Sequence, residues 1–185
     1  MVLRAPEPPP AKSPPRPDVR AIYGAEFAWV YRTLRRLGGR ERDLEDLAHD
    51  VFVVVHRRLD DYDPRRPLRP WLMGIAFRVV SDYRRRAGFR AEELSEDVAD
   101  TAWAPRQEEA VAERDRRELV LEALEALDLD QRAVFVAHEL DGTAMPELAE
   151  ALGVSVNTLY SRLRLGRQRF AAAVGRLTAA GGRSV

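Results

Sequence analysis

The stretch from Asp43 to Arg86 constrains this chain more than any other, because its character changes twice within the span of one small domain. It opens with Asp43-Leu44-Glu45-Asp46-Leu47-Ala48-His49-Asp50-Val51-Phe52, whose apolar residues Leu44, Leu47, Val51, Val54 and Val55 recur at helical spacing. Asp43 is expected to cap this helix, with Asp46 reinforcing the start where the helix dipole favours carboxylates. The opposite face carries Asp46, His49, Asp50 and Val53, with Phe52 at its border. The dipole accounts for the carboxylates but not for Val53 and Phe52 beside them, which point to a patch that docks on another protein. Pro64, Pro67 and Pro70 then forbid a continuous helix through Asp61 to Pro70. Pro70 suits the first turn of a following helix that runs to about Arg86, with Leu72, Ile75, Ala76, Val79 and Tyr83 as its core stripe. Trp71, Met73, Arg78, Arg84 and Arg85 lie off that stripe or at its edge. An aromatic face for stacking beside guanidinium groups for phosphates is the combination that single-stranded nucleic acid requires.

A chain of 185 residues holds one medium domain or two small ones. It has no cysteine, which excludes disulfide frameworks, thiolate zinc sites and cysteine nucleophiles together. No apolar run approaches a membrane span, so a soluble, cytoplasmic protein without membrane insertion is expected. The formal net charge of zero hides a segregated pattern. Ser81 to Arg90 holds four arginines and one aspartate, Ala91 to Asp100 five carboxylates and no base, and Ser155 to Arg176 five arginines and no acid. Two basic surfaces joined by an acidic connector suit two separate anion-binding sites. The first 18 residues hold seven prolines and are read as an extended or disordered tail.

Tyr23, Phe27, Val30, Tyr31, Leu34 and Leu37 form the stripe of a first helix that Gly38-Gly39 stops. Beyond the connector, helix resumes near Glu108, with a good apolar period over Val111 to Leu127 and a further segment from Asp130 to Leu140. After Asp141-Gly142 come a short helix from Pro146 to Leu152, a turn at Gly153, and a helix from about Val156 to Val174. Small Ala149, turn-forming Gly153 and a capping Ser155 or Asn157 make this a helix-turn-helix pattern. Its second helix, bearing Thr158, Tyr160, Ser161, Arg162, Arg164, Arg167 and Arg169, would enter a major groove N-terminus first. His49 and His56 stand seven apart with no third ligand at working spacing, so no metal is expected. Asp60, Asp61 and Asp63 lack both the glycine and the terminal glutamate of a calcium loop, and they have no base partner for hydrolysis.

On these residues the chain resembles the extracytoplasmic-function bacterial RNA polymerase sigma factors in their two-domain form. Asp46 to Phe52, Trp71-Leu72, Ile75-Ala76 and Asp82-Tyr83-Arg84-Arg85 look like sigma region 2. Leu124 to Leu129, Gln131-Arg132, Glu147-Leu148-Ala149, Gly153, Asn157-Thr158 and Ser161-Arg162-Leu163 look like region 4. The resemblance implies an all-α fold of two small helical domains joined by a flexible acidic linker. The expected boundaries are a tail over 1–18, region 2 over 19–88, a linker over 89–107, region 4 over 108–178 and a tail over 179–185.

The resemblance also implies roles. Asp46, Leu47, His49, Asp50, Phe52 and Val53 would dock on the clamp of the largest catalytic subunit of core RNA polymerase, while the second domain would meet the polymerase flap. Arg65, Arg66, Pro67, Leu68, Arg69, Trp71, Arg78, Arg84 and Arg85 would open the minus-ten element and hold an extruded base, at a cost of a few kcal/mol. Asn157, Thr158, Tyr160, Ser161, Arg162, Arg164 and Arg167 would read the minus-thirty-five element, with Tyr160, Ser161 and Arg164 nearest base edges and Arg162 and Arg167 on phosphates. His49 stands where the family usually has glutamine, Arg78 where it usually has asparagine, and Tyr160 and Leu165 where basic residues are usual. Such a factor initiates transcription at chosen promoters, is commonly held by an anti-sigma partner, needs no cofactor or small-molecule substrate, and is not an enzyme. The alternative is a helix-turn-helix regulator whose first domain is a dimerisation or sensing bundle and which binds duplex DNA without being a polymerase subunit.

Overall fold

The computed structural model describes residues 18–91 and 108–181, with side chains described over 18–86 and 114–180. Helix α1 spans Val19–Arg36, a 3-10 turn (Glu41–Asp43) leads into α2 (Leu44–Arg58), and α3 spans Leu68–Ala91. Then follow α4 (Glu108–Glu125), α5 (Leu129–Phe135) continued by a π-helical turn (Val136–Leu140), α6 (Met145–Leu152) and α7 (Val156–Gly181). Every regular element among the described residues is helical, as the apolar periods predict. The proline-rich tail, the acidic connector beyond residue 91 and the C-terminal residues after 181 lie outside the described residues.

Helices α1, α2 and α3 close around Ile22, Val30, Leu34, Leu44, Leu47, Val51, Val55, Leu72, Ile75 and Val80, none more than 4 % exposed. Asp43 does not cap α2 with its side chain. The 3-10 turn runs straight into the helix, so Asp43 already has helical backbone angles, and its carboxylate instead accepts a 2.6 Å hydrogen bond from the Tyr83 hydroxyl of α3. Phe52, expected at an exposed border, is only 6 % exposed. The rings of Tyr23 and Phe27 on α1 lie over it, at centroid distances of 4.7 and 6.2 Å, so an aromatic layer replaces the bare edge.

Helices α4 to α7 form the second bundle around Leu124, Leu127, Val134, Leu148, Leu159 and Leu163, with Phe135 and Phe170 stacked at 4.5 Å. Asp128 caps α5, its carboxylate accepting from the Gln131 backbone N–H at 2.8 Å. The π-helical turn after α5 closes with the Asp141 N–H donating to the Val136 carbonyl, one residue wider than an α-helical bond. That extra residue delivers Asp141 to the side of the bundle facing α1. Between α6 and α7 the chain reverses at Gly153, whose φ of 71° lies in the left-handed region. The Val154 N–H then returns to the Ala149 carbonyl.

One hydrophobic core runs through both bundles, because α3 packs against α6 as well as against α1 and α2. The crossing is at Gly74, where a Cβ would stand 2.5 Å from the Ala151 carbonyl oxygen. This second neighbour explains why Met73, placed off the core stripe by periodicity, is 1 % exposed, and why Phe77 is half-buried. Polar contacts flank the crossing. Arg78 donates to the Ala151 carbonyl at 3.2 Å, Arg66 pairs with Glu150, and Arg36 of α1 pairs with Asp141 at 3.0 Å.

The backbone reversal at Gly153 can be isolated from packing, since a Cβ there meets nothing within 4 Å. Gly153→Ala is therefore expected to cost roughly 1–2 kcal/mol through the left-handed backbone alone. Thermal unfolding followed by circular dichroism should show a midpoint lowered by roughly 2–4 °C per kcal/mol, and an unchanged midpoint would count against this turn holding α6 to α7.

Candidate nucleic-acid and polymerase interfaces

Three surfaces carry the residues singled out by sequence. The first is built by the loop after α2 and the opening turns of α3. Asp63 organises it: its carboxylate accepts from the Arg65 backbone N–H at 3.0 Å and from the Arg65 guanidinium at 2.7 to 3.1 Å. The Tyr62 hydroxyl donates to the Arg66 carbonyl at 2.5 Å, and the Tyr62 ring lies 5.1 Å from that of Trp71. These bonds hold the Arg65 and Arg66 side chains outward, beside an aromatic wall. The result is an open cleft of about 570 Å³ lined by Tyr62, Arg65, Arg66, Pro67, Trp71 and Arg78 on one side. Glu147, Glu150 and Ala151 of α6 form the other side.

The Asp63 carboxyl is held down to about 2 by its hydrogen bonds from Arg65, with the charges of Arg65 and Arg66 acting in the same direction. The Tyr62 hydroxyl is pushed up, first by burial and then by the Asp63 carboxylate. Among the predicted minus-ten residues, Arg65, Arg66, Pro67, Trp71 and Arg78 come together in the cleft. Leu68 is half-buried against the core. Arg69 turns away: it pairs with Glu26 at 3.0 Å and lies 5.7 Å from the centroid of the Trp29 ring. Arg84 and Arg85 sit exposed some two turns further along α3, Arg85 paired with Asp82 at 2.7 Å.

The second surface is the outer face of α2. Asp46, His49 and Asp50 are exposed, Val53 is half-buried, and Leu47 is 4 % exposed. With Phe52 covered, the apolar part of this face is supplied by Tyr23, 47 % exposed, and Phe27. Together with Glu45 and His49 they line a shallow depression of about 320 Å³. Tyr23 and Phe27 read as core residues from their spacing alone. The buried residues of α1 are Ile22, Trp29, Val30, Thr33 and Leu34, and this narrower stripe leaves Tyr23 and Phe27 at its edge.

The third surface is the start of α7. Ser155 supplies the cap, its hydroxyl accepting from the Thr158 backbone N–H at 3.1 Å and sharing a 2.8 Å hydrogen bond with the Thr158 hydroxyl. Asn157, Tyr160, Ser161 and Arg164 are exposed along one side, Tyr160 at 55 %. Arg162 and Arg167 are held differently. Arg162 pairs with Asp130 at 3.1 Å, Arg167 with Glu139 at 2.5 Å, and the neighbouring Arg169 with Asp128 at 3.2 Å. The acids of α5 and the π-helical turn thus brace the back of the helix, leaving its leading side open.

Two charges outside these surfaces, the buried Arg132 and the partly buried Asp141, read from sequence only as part of a motif and of a turn. Arg132 on α5 is 4 % exposed and lies against Gly38; burial brings its pKa down to about 10, with Arg84 pushing the same way. Burial pushes the Asp141 carboxyl up, against the opposing pull of Arg36. Trp29 Nε1 faces that carboxylate without making a well-formed hydrogen bond. Among the described residues no cluster of metal-ligating side chains occurs, and no helix is long and apolar enough to cross a membrane.

Comparison with known proteins bears on both bundles. Residues 22–90 match the family model described as Sigma-70 region 2, and residues 117–170 match Sigma-70, region 4. The RNA polymerase sigma factor CnrH of Cupriavidus metallidurans is 36 % identical over 162 residues, covering 82 % of this chain and 82 % of its own length. The ECF RNA polymerase sigma factor SigL of Mycobacterium tuberculosis is 31 % identical over 146 residues, covering 78 % of this chain and 82 % of its own. A solved structure of CnrH in complex with the cytosolic domain of CnrY superposes with a TM-score of 0.61 at 27 % identity, over 85 % of this chain and 88 % of that one. The fold also matches the sigma factor RpoE of Bartonella quintana, solved with the anti-sigma factor NepR, at a TM-score of 0.70 and 19 % identity, over 84 % of this chain and 96 % of that one.

The loop that presents Arg65 and Arg66 depends on an ionised Asp63. Because its pKa is depressed, the carboxylate's contribution is complete above the ordinary carboxylate range and is lost as pH falls toward 2. NMR titration of the Asp63 carboxyl should give a midpoint near 2, moving up in Arg65→Ala toward the ordinary carboxylate value of about 4 without reaching it, because the backbone N–H of residue 65 and the charge of Arg66 remain; a midpoint near 4 in the unaltered chain would dissolve this account of the loop.

Proposed function

Since the chain belongs to the RNA polymerase sigma factors of the extracytoplasmic-function group, we propose that its three surfaces divide the work of initiation among core polymerase, the minus-ten element and the minus-thirty-five element. As a sigma factor it binds core RNA polymerase, directs it to promoters and initiates transcription there. The observation that carries the division is the cleft at Trp71, where a stacking ring and the guanidinium groups of Arg65, Arg66 and Arg78 face one space. Stacking on an aromatic side chain is worth about 1–3 kcal/mol per base. That is enough, with phosphate contacts, to offset the few kcal/mol lost when a base leaves the duplex. The reaction chemistry belongs to the polymerase; this chain supplies position and strand separation, and acts in the cytoplasm without being an enzyme itself.

The exposed carboxylates Asp46 and Asp50, with His49 and the Tyr23–Phe27 layer, suit a basic and apolar partner surface, which we assign to the clamp of the largest polymerase subunit. The leading side of α7 suits a major groove, with Tyr160, Ser161 and Arg164 toward base edges. The ion pairs of Arg162 and Arg167 keep those guanidinium groups at the flanks of the helix, where phosphates pass. The polymerase flap is the partner proposed for the second bundle. Control by an anti-sigma factor is proposed from the complexes in which CnrH and RpoE were solved, CnrH with the cytosolic domain of CnrY and RpoE with the anti-sigma factor NepR.

A pull-down with core polymerase, followed by run-off transcription from the promoter of the chain's own operon, tests the assignment of surfaces through two sets of substitutions. Asp46→Arg combined with Asp50→Arg is expected to weaken core binding by roughly tenfold, about 1.4 kcal/mol, while duplex binding by α7 persists. Unchanged core affinity would move the docking face elsewhere. Arg164→Ala is expected to lose about 1–3 kcal/mol of discrimination at one promoter position. An equal loss on every promoter would make Arg164 a phosphate contact.

A further inference from the structure

Away from the three surfaces, two guanidinium groups converge on one point with no carboxylate between them. Gly38 follows α1 with a φ of 97°. The position that a Cβ would take there lies 2.5 Å from Arg132 Nη1 and 4.0 Å from Arg84 Nη1. Arg84 reaches this point from α3 and Arg132 from α5, so each bundle supplies one of the pair. Neither makes an ion pair among the described residues, whereas Arg35, Arg36 and Arg85 close by in the chain each do.

Like charges held this close repel, and burial adds to the cost. Arg132 is 4 % exposed, and its Nε is buried without a hydrogen-bond partner. Burial and then the Arg84 charge bring its pKa down to about 10, which still leaves it charged at neutral pH; Glu125 pulls the other way without pairing. The end of α1 offers limited relief, because the carbonyls of Thr33, Leu34 and Arg35 already accept from the N–H groups of Leu37, Gly39 and Gly38. A buried cation that keeps its charge needs a counter-charge and acceptors for its N–H groups. Access for one is present, since Gly38 is half-buried and Arg84 is exposed. The planar fork of a guanidinium matches the oxygens of a phosphate group, and two forks suit an oxyanion better than a spherical halide.

We propose that Arg84 and Arg132, set against Gly38, form a binding site for a phosphate group, supplied by free inorganic phosphate or by a nucleic-acid backbone. The glycine is part of the site: a side chain there would coincide with Arg132 Nη1 and drive the guanidinium from its place. The bound group relieves the repulsion between the two arginines and gives the unpartnered Arg132 Nε–H an acceptor. This proposal stands apart from the division of surfaces among polymerase and promoter elements.

The test titrates sodium phosphate into the full chain, with sodium chloride at matched ionic strength as the reference, and follows the arginine Nε–Hε signals by NMR alongside the thermal midpoint. Phosphate is expected to shift the Arg132 signal saturably and to raise the midpoint as a ligand of the folded state does. Arg84→Gln is expected to weaken phosphate binding by about tenfold or more, and Arg84→Lys to retain part of it. These variants alter an exposed side chain, so the test survives even if Arg132→Gln does not fold. Arg176→Gln, exposed toward the far end of α7, should leave the response unchanged. A short single strand of mixed sequence in phosphate-free buffer separates the two sources. An Arg132 shift that the strand produces and Arg84→Gln removes assigns the site to backbone phosphate; a response to inorganic phosphate alone assigns it to the free anion. Chloride matching phosphate at equal ionic strength, a phosphate response indifferent to both Arg84 variants, or no response to either source overturns the proposal.

Discussion

Helix α3 has two sides to bury, and most of what distinguishes this chain follows from how it does so. One side carries Leu72, Ile75 and Val80 into the bundle with α1 and α2, an ordinary amphipathic arrangement. The other meets α6 at Gly74, where the absence of a side chain lets one helix approach the carbonyl end of the next. A helix so enclosed can display functional groups only along the strips between its two contacts and at its ends. Trp71 and Arg78 occupy such a strip, and Arg84 and Arg85 lie toward the far end. The cleft is therefore a by-product of packing on both sides, shaped by the loop that Asp63 and Tyr62 stiffen.

Charge is arranged with the same economy. The formal charges cancel over the whole chain, and many of the described arginines are tied to carboxylates. Those behind α7 are braced by Asp128, Asp130 and Glu139, and Arg69 is drawn away from the cleft by Glu26. Such exposed pairs add little to stability, typically below about 1 kcal/mol each. Their worth lies in orientation: they decide which guanidinium groups face outward together. The buried charges behave differently. Arg132 and Asp141 are both displaced from their ordinary ionisation by burial, and each leaves one polar atom without a partner. Asp141 offsets part of that cost by accepting from Arg36 of the first bundle at 3.0 Å.

Much of the fold was legible in the sequence because its signals are local. The periodic apolar residues of α1 and α2 and the Gly153 reversal with its Ser155 cap each act over a few residues and formed elements where expected. Helix α3, by contrast, begins at Leu68, inside the stretch that its prolines had marked as loop, with Pro70 still in the first turn. The candidate surfaces were partly legible for the same reason, since Asp46, His49 and Asp50 share a helix face, as do Tyr160 and Arg164. What sequence could not supply was the meeting of segments far apart in the chain. Gly74 and Ala151 look like unremarked helix residues, and Asp141 like part of a turn; only their contacts with distant partners give them a role. Phe52 and Met73 were misplaced by one cause, a second layer covering a side that periodicity had left open. Asp43 was misread because the 3-10 turn ahead of α2 supplies the start that a capping side chain would otherwise provide.

The two faces of the first bundle differ in what stands in front of them. Asp46, His49 and Asp50 look outward from α2 with α6 on the far side of the bundle, whereas Arg66 and Arg78 already touch α6. A visitor that needs only α2 finds its landing place vacant at first encounter; one that needs the cleft must wait for a neighbour to leave. Geometry of this kind imposes chronology. On the proposed division of surfaces, a protein partner on α2 need displace nothing, whereas a strand entering the cleft would have to displace the contacts of Arg66 and Arg78 with α6.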